Sequence, residues 1–90
     1  ATHNVILIYP SEFPHAEEFE FWCELLLSSI NSSILEYSAG ADRHQVRFRL
    51  NNYIFNVNYE HYSDSIWCEA EGEAAKCYLP QLYDQFKRHF

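Results

Sequence analysis

The segment Asn4 to Tyr9, continuously apolar from Val5 on and closed by Pro10, reads as a strand buried on both faces. Ala16, Phe19, Trp22, Cys23, Leu26, Leu27 and Ile30 then recur at intervals of three and four, so the spacing predicts an amphipathic helix over residues 14–30. Pro14 suits a first turn, where its missing N–H is not needed, and Glu17, Glu18 and Glu20 lie near the positive end of the helix dipole. Asn31, Ser32 and Ser33 break the helix, and Ile34 to Ser38 reads as a short strand ended by the turn Ala39-Gly40-Ala41.

The clearest pattern follows. His44, Val46, Phe48 and Leu50 alternate with Arg43, Gln45, Arg47 and Arg49, the period of a half-buried strand. Asn51-Asn52 offers a two-residue turn, expected as type I′ because Asn tolerates positive φ. The chain then returns over Tyr53 to Glu60. That register sets Leu50, Phe48, Val46 and His44 opposite Tyr53, Phe55, Val57 and Tyr59 on one face. On the other, Arg49, Arg47, Gln45 and Arg43 meet Ile54, Asn56, Asn58 and Glu60. A one-residue slip would expose the whole apolar row. Tyr62 to Ser65 makes the next turn, and Ile66 to Ala70 is a further strand. Setting His61 across from Ile66 puts Cys68 and Ala70 in the buried row and Trp67 and Glu69 in the polar one. Gly72 ends the sheet. Leu79, Leu82, Tyr83, Phe86 and Phe90 mark a last helix with Pro80 in its first turn, and residues Glu73 to Cys77 are open to either reading.

The expected fold is therefore α+β, a two-layer sandwich in the order β-α-β-β-β-β-α. Its sheet is a mostly antiparallel meander with one parallel neighbour, and both helices lie on one face. At 90 residues the chain is read as one domain, 1–90; 48% apolar residues and only 5 Gly plus Pro make it globular. No apolar stretch approaches the length of a bilayer span, so no membrane role is expected. Thirteen Asp and Glu against 6 Lys and Arg give a net charge of −7, which opposes a nucleic-acid partner. No secretory signal is visible, and Ala1 in place of Met leaves the native N-terminus open. Cys23, Cys68 and Cys77 are odd in number and lack a C-x-x-C pair, which points to reduced thiols and a cytosolic setting. Cys77, outside the regular segments, is the thiol to test for catalysis.

Three places could carry function. At one sheet end, Asp42, Arg43 and His44 meet Glu60, His61 and Asp64. The set Asp42, His44, Glu60, His61 and Asp64 could hold a divalent metal, and a His with an Asp could act as a general base. No cofactor beyond that metal is expected, and no H-E-x-x-H signature is present. The same residues also fit a structural corner, with Asp42 and Asp64 shaping turns, Arg43 paired with Glu60 and the imidazoles capping the core. The second place is the sheet face left uncovered by helices, where Arg47, Arg49, Asn56, Asn58 and Trp67 project beside Arg43, Gln45, Glu60 and Glu69. Trp and Arg dominate protein-binding hot spots, although Trp67 could equally lie flat under Arg43 or Arg47 on a solvated sheet. The third is the first helix, where Glu17, Glu20 and Glu24 share a side with Phe21 and Leu25. That side could dock a basic partner or a second copy, or simply be solvated.

The segments Gly40-Ala41-Asp42-Arg43-His44-Gln45 and Tyr59 to Trp67 resemble a family of short, uncharacterised bacterial proteins, a domain of unknown function. The resemblance implies a small stand-alone protein and carries over no catalytic, metal or binding residue. With no glycine-rich phosphate loop and no G-x-S-x-G elbow, an enzyme is the less favoured reading. The expectation is a cytosolic protein-binding module that uses the open sheet face. Its partner is a protein or a second copy, as in a homodimeric structural protein, and the rival is metal-assisted or acid–base chemistry at the histidine corner.

Overall fold

The computed structural model of the protein describes residues 5–40, 43–60 and 62–89. Five strands, β1 (Val5–Ile8), β2 (Ser33–Ala39), β3 (Arg43–Leu50), β4 (Tyr53–Glu60) and β5 (Ser65–Glu71), combine with two helices, α1 (Phe19–Ser28) and α2 (Glu73–His89). The sheet order is β1-β5-β4-β3-β2, and every neighbouring pair is antiparallel. The fold is α+β, as the hydrophobic pattern implies.

The expected parallel neighbour is corrected: every strand pair among the described residues is antiparallel, and β1 pairs with β5 at the edge opposite β2. The connection through α1 spans the sheet from one edge to the other, so β1 completes the edge that β5 would otherwise leave open. As an edge strand, β1 is not buried on both faces either. Ile6 and Ile8 enter the core, while Leu7 is 54% exposed.

The β3–β4 register is the one the alternation predicts, from Arg43 opposite Glu60 to Leu50 opposite Tyr53. The turn differs in detail. Only Asn51 has positive φ (57°), as the first central residue of a type II′ turn requires, rather than both residues. Between β4 and β5, Tyr59 and not His61 faces Ile66. The two-residue difference preserves parity, so Cys68 still points to the core and Trp67 still points away.

The core lies on the helix-covered face. Val46, Phe48, Phe55, Val57, Ile66 and Cys68 meet Phe19, Cys23, Leu26 and Leu27 from α1 and Ala75, Leu79, Leu82 and Phe86 from α2. Helix α1 lies over β2 and β3, and α2 over β5, β4 and β1. A 3-10 turn at Ala16–Glu18 leads into α1, where the Glu18 carboxylate accepts from the His15 N–H at 3.2 Å. The α-helical part is shorter than the apolar periodicity suggests because Asn31 turns left-handed at φ 57°. Ser32 N–H then bonds the Leu27 carbonyl and Asn31 N–H that of Ser28, both at 3.1 Å, which closes the helix with a Schellman motif.

Helix α2 begins at Glu73, so Pro80 sits inside it rather than in its first turn. Ala75 extends the buried stripe of Leu79, Leu82 and Phe86 one turn upstream, and Pro80 falls on the exposed side, where water can reach the carbonyl it leaves unbonded. Cys77, expected outside regular structure, is an exposed residue of this helix.

Gly72 joins β5 to α2 with φ 89°, and a Cβ there would meet nothing within 4 Å. The cost of a side chain is therefore purely conformational. Gly72→Ala is expected to destabilise the fold by about 1 kcal/mol, a fall in Tm of about 4–8 °C by calorimetry.

Candidate functional site

The face without helices is built by the odd residues of β3, the even residues of β4 and the odd residues of β5. Gln45 Nε2 donates to Asn58 Oδ1 at 2.8 Å, and Asn58 Nδ2 donates to Glu69 Oε1 at 3.1 Å. Two residues along, Arg47 donates through Nε to Glu71 Oε2 at 2.9 Å and through Nη2 to Oε1 at 3.1 Å. Asn56 Nδ2 adds a third bond to Glu71 Oε2 at 2.7 Å. Donors on β3, amides on β4 and carboxylates on β5 thus form one hydrogen-bonded lattice across three strands.

The lattice divides the expected binding residues into two kinds. Asn56 and Asn58 are only 7% and 3% exposed although no helix covers them, because longer side chains on β3 and β5 close over the central strand. Buried amides need partners, and here they have them. They position the residues above rather than offering a surface themselves. Arg49 is exposed and, among the described residues, forms no ion pair; Arg47 and Trp67 are half-buried. Trp67 faces Asn58 on one side and the exposed Leu7 on the other. It does not lie under Arg43 or Arg47: the Arg47 guanidinium is on Glu71, Arg43 lies 3.8 Å from Glu60, and the cation–π contact described is Lys87 over Tyr83.

Sequence reasoning missed Leu7 and Glu71. The Leu7 signal was masked by the unbroken apolar run. That of Glu71 was present, since it continues the alternation of Trp67 and Glu69 beyond the residue taken as the strand's end.

The histidine corner is arranged differently. His44 is buried on the helix side, where Tyr37 Oη and His44 Nδ1 share a hydrogen bond of 2.7 Å and the rings of Phe19 and Tyr59 lie 6.0 and 6.3 Å away. Glu60 lies on the opposite face beside Arg43, and Asp64 is exposed in a turn at φ 48°. The sheet therefore separates His44 from Glu60. Asp42 and His61 fall outside the described residues, and among those described no group of three His, Cys, Asp or Glu is placed to hold a metal ion. Burial, then the charges of Glu20 and Cys23, pushes the Tyr37 hydroxyl above its ordinary range. Burial likewise raises the Cys23 and Cys68 thiols, which keeps both protonated and unreactive.

A family model described as "Protein of unknown function (DUF3630)" matches residues 1–83. The chain belongs to this family. No curated protein and no solved structure matches the chain. In this DUF3630 protein the match takes in all five strands, and so the whole lattice.

Two measurements check the geometry of the DUF3630 sheet. Hydrogen bonds from Arg47 and then Asn56 hold the Glu71 carboxyl below its ordinary value of 4.5. A carboxyl that titrates lower in the folded state contributes stability above its unfolded value and loses it as pH falls through the folded one. In urea unfolding, wild type is expected to exceed Glu71→Gln by a small margin at neutral pH, and the margin should narrow and vanish as pH falls below the ordinary carboxylate range and through the lowered folded-state value. On the other face, Tyr37→Phe removes the bond to His44 and is expected to lower stability by about 0.5–1.5 kcal/mol.

Proposed function

We propose that this DUF3630 protein is a binding module that docks another protein on the open face of its sheet, with Trp67, Arg47 and Arg49 as anchors over Asn56 and Asn58. One observation carries the reading: the polar side chains of this face are tied to one another across three strands, while the adjacent Leu7–Trp67 pair is left uncovered by any helix. Fixed side chains lose little freedom on association, and Trp and Arg are the residue types most often found at binding hot spots. Arg49, exposed and without an ion pair among the described residues, supplies a further charge. The three free thiols support a cytosolic setting, and the likeness at Gly40–Gln45 and Tyr59–Trp67 supports a bacterial source.

Quantitative affinity capture of the tagged chain tests the proposal, with circular dichroism confirming each variant's fold. A partner protein should be recovered with wild type and with Gln81→Ala, an exposed residue of α2, and lost by about tenfold or more with both Trp67→Ala and Arg49→Glu. Equal recovery by all four chains would sink it.

A further inference from the structure

All six Lys and Arg residues lie at or beyond Arg43. Residues 1–42 hold seven of the 13 Asp and Glu and no Lys or Arg, while residues 43–90 hold six Asp and Glu and six Lys and Arg. The entire net charge of −7 therefore belongs to the first 42 residues. Five of the seven carboxylates fall between Glu12 and Glu24, in α1 and the loop before it. Among the described residues none of these five forms an ion pair.

The same segment contains a groove of about 470 Å³ between the loop and α1. Phe13, Phe21, Trp22 and Leu25 line it together with Glu12, Glu17 and Glu18 and the imidazole-bearing His15. Phe21 and Leu25 are one helical turn apart and remain 63% and 55% exposed, because Phe19, Cys23, Leu26 and Leu27 already fill the core side of α1. Two neighbouring large apolar side chains left in water, framed by unneutralised carboxylates, are the complement of a basic amphipathic surface.

We propose that this groove docks a basic amphipathic helix of a partner protein. Apolar anchors one turn apart enter between Phe21, Leu25 and Trp22, and flanking Lys or Arg side chains meet Glu12, Glu17 and Glu18. Cations there relieve the repulsion that Glu17, Glu20 and Glu24 exert on one another at helical spacing. Nucleic acid and anionic lipid carry the wrong sign for this surface. A second copy docking through the same segment would bring a second set of the same charges. The groove belongs to the helix layer, so it stands apart from the sheet face and gives the protein two separate docking surfaces.

Calorimetric titration of the full chain provides the test. The probe is a synthetic amphipathic Lys/Leu peptide of about four helical turns, and a Glu/Leu peptide of the same pattern is the control. The Lys/Leu peptide should bind and the Glu/Leu peptide should not. Affinity should fall about tenfold between about 50 and about 300 mM salt, and Glu12→Gln/Glu17→Gln should flatten that dependence. Phe21→Ala/Leu25→Ala should weaken binding by about tenfold or more with an unchanged far-UV spectrum, since both side chains are exposed. Trp67→Ala should bind the peptide as wild type does, whatever its effect on capture through the sheet face. Equal binding of both peptides, full affinity in Phe21→Ala/Leu25→Ala, or loss of affinity in Trp67→Ala would overturn the proposal. So would light scattering that shows a homodimer abolished by Phe21→Ala/Leu25→Ala, because the occupant would then be a second copy.

Discussion

The pairing of β3 with β4 is the constraint on which the rest of this protein depends. Side chains alternate along a strand with a period of two, so one register decides both surfaces of the sheet at once. With Val46 opposite Val57 and Phe48 opposite Phe55, the helices have a continuous apolar surface to cover, and the Phe48 and Phe55 rings stack at 5.4 Å. The same register sets Gln45 opposite Asn58 and Arg47 opposite Asn56. Without it neither the core nor the lattice could form.

The lattice shows how a sheet face can be ordered without being covered by another layer. Short amides on the central strand sit between long side chains on its neighbours, and each becomes buried under them. Burial makes their hydrogen bonds obligatory, and the bonds in turn hold the long side chains in place. Arg47 is drawn diagonally past its facing Asn56 to Glu71, where the bidentate geometry suits a guanidinium. The result is a surface whose shape is set by the fold itself.

His44 illustrates the opposite outcome on the same strand. Its neighbours Arg43 and Gln45 face water, but parity turns His44 inward among Phe19, Tyr37 and Tyr59. An imidazole there completes an aromatic cluster and bonds a tyrosine hydroxyl. Two residues adjacent in sequence, or paired across a turn, can thus be kept apart by the thickness of a sheet.

The order of elements, the eight β3–β4 pairs, the inward stripe of α1 and the Leu79, Leu82 and Phe86 positions of α2 were legible in the residues themselves, because each rests on local periodicity or on the match between facing strands. Tyr83, of the same spacing, is exposed, and Phe90 lies outside the described residues. Parity also survived an error in the β4–β5 turn, since a shift of two leaves every side chain on its own face. The neighbour of β1 was not legible. An apolar run of four or five residues has no alternation to report, and only the assembled sheet determined that Ile6 and Ile8 are buried while Leu7 is not. The same holds for Pro80, tolerated mid-helix because packing turned it outward, and for the partners of Tyr37 and Glu71. These contacts join residues on different strands, and their geometry exists only once the long-range pairing is complete.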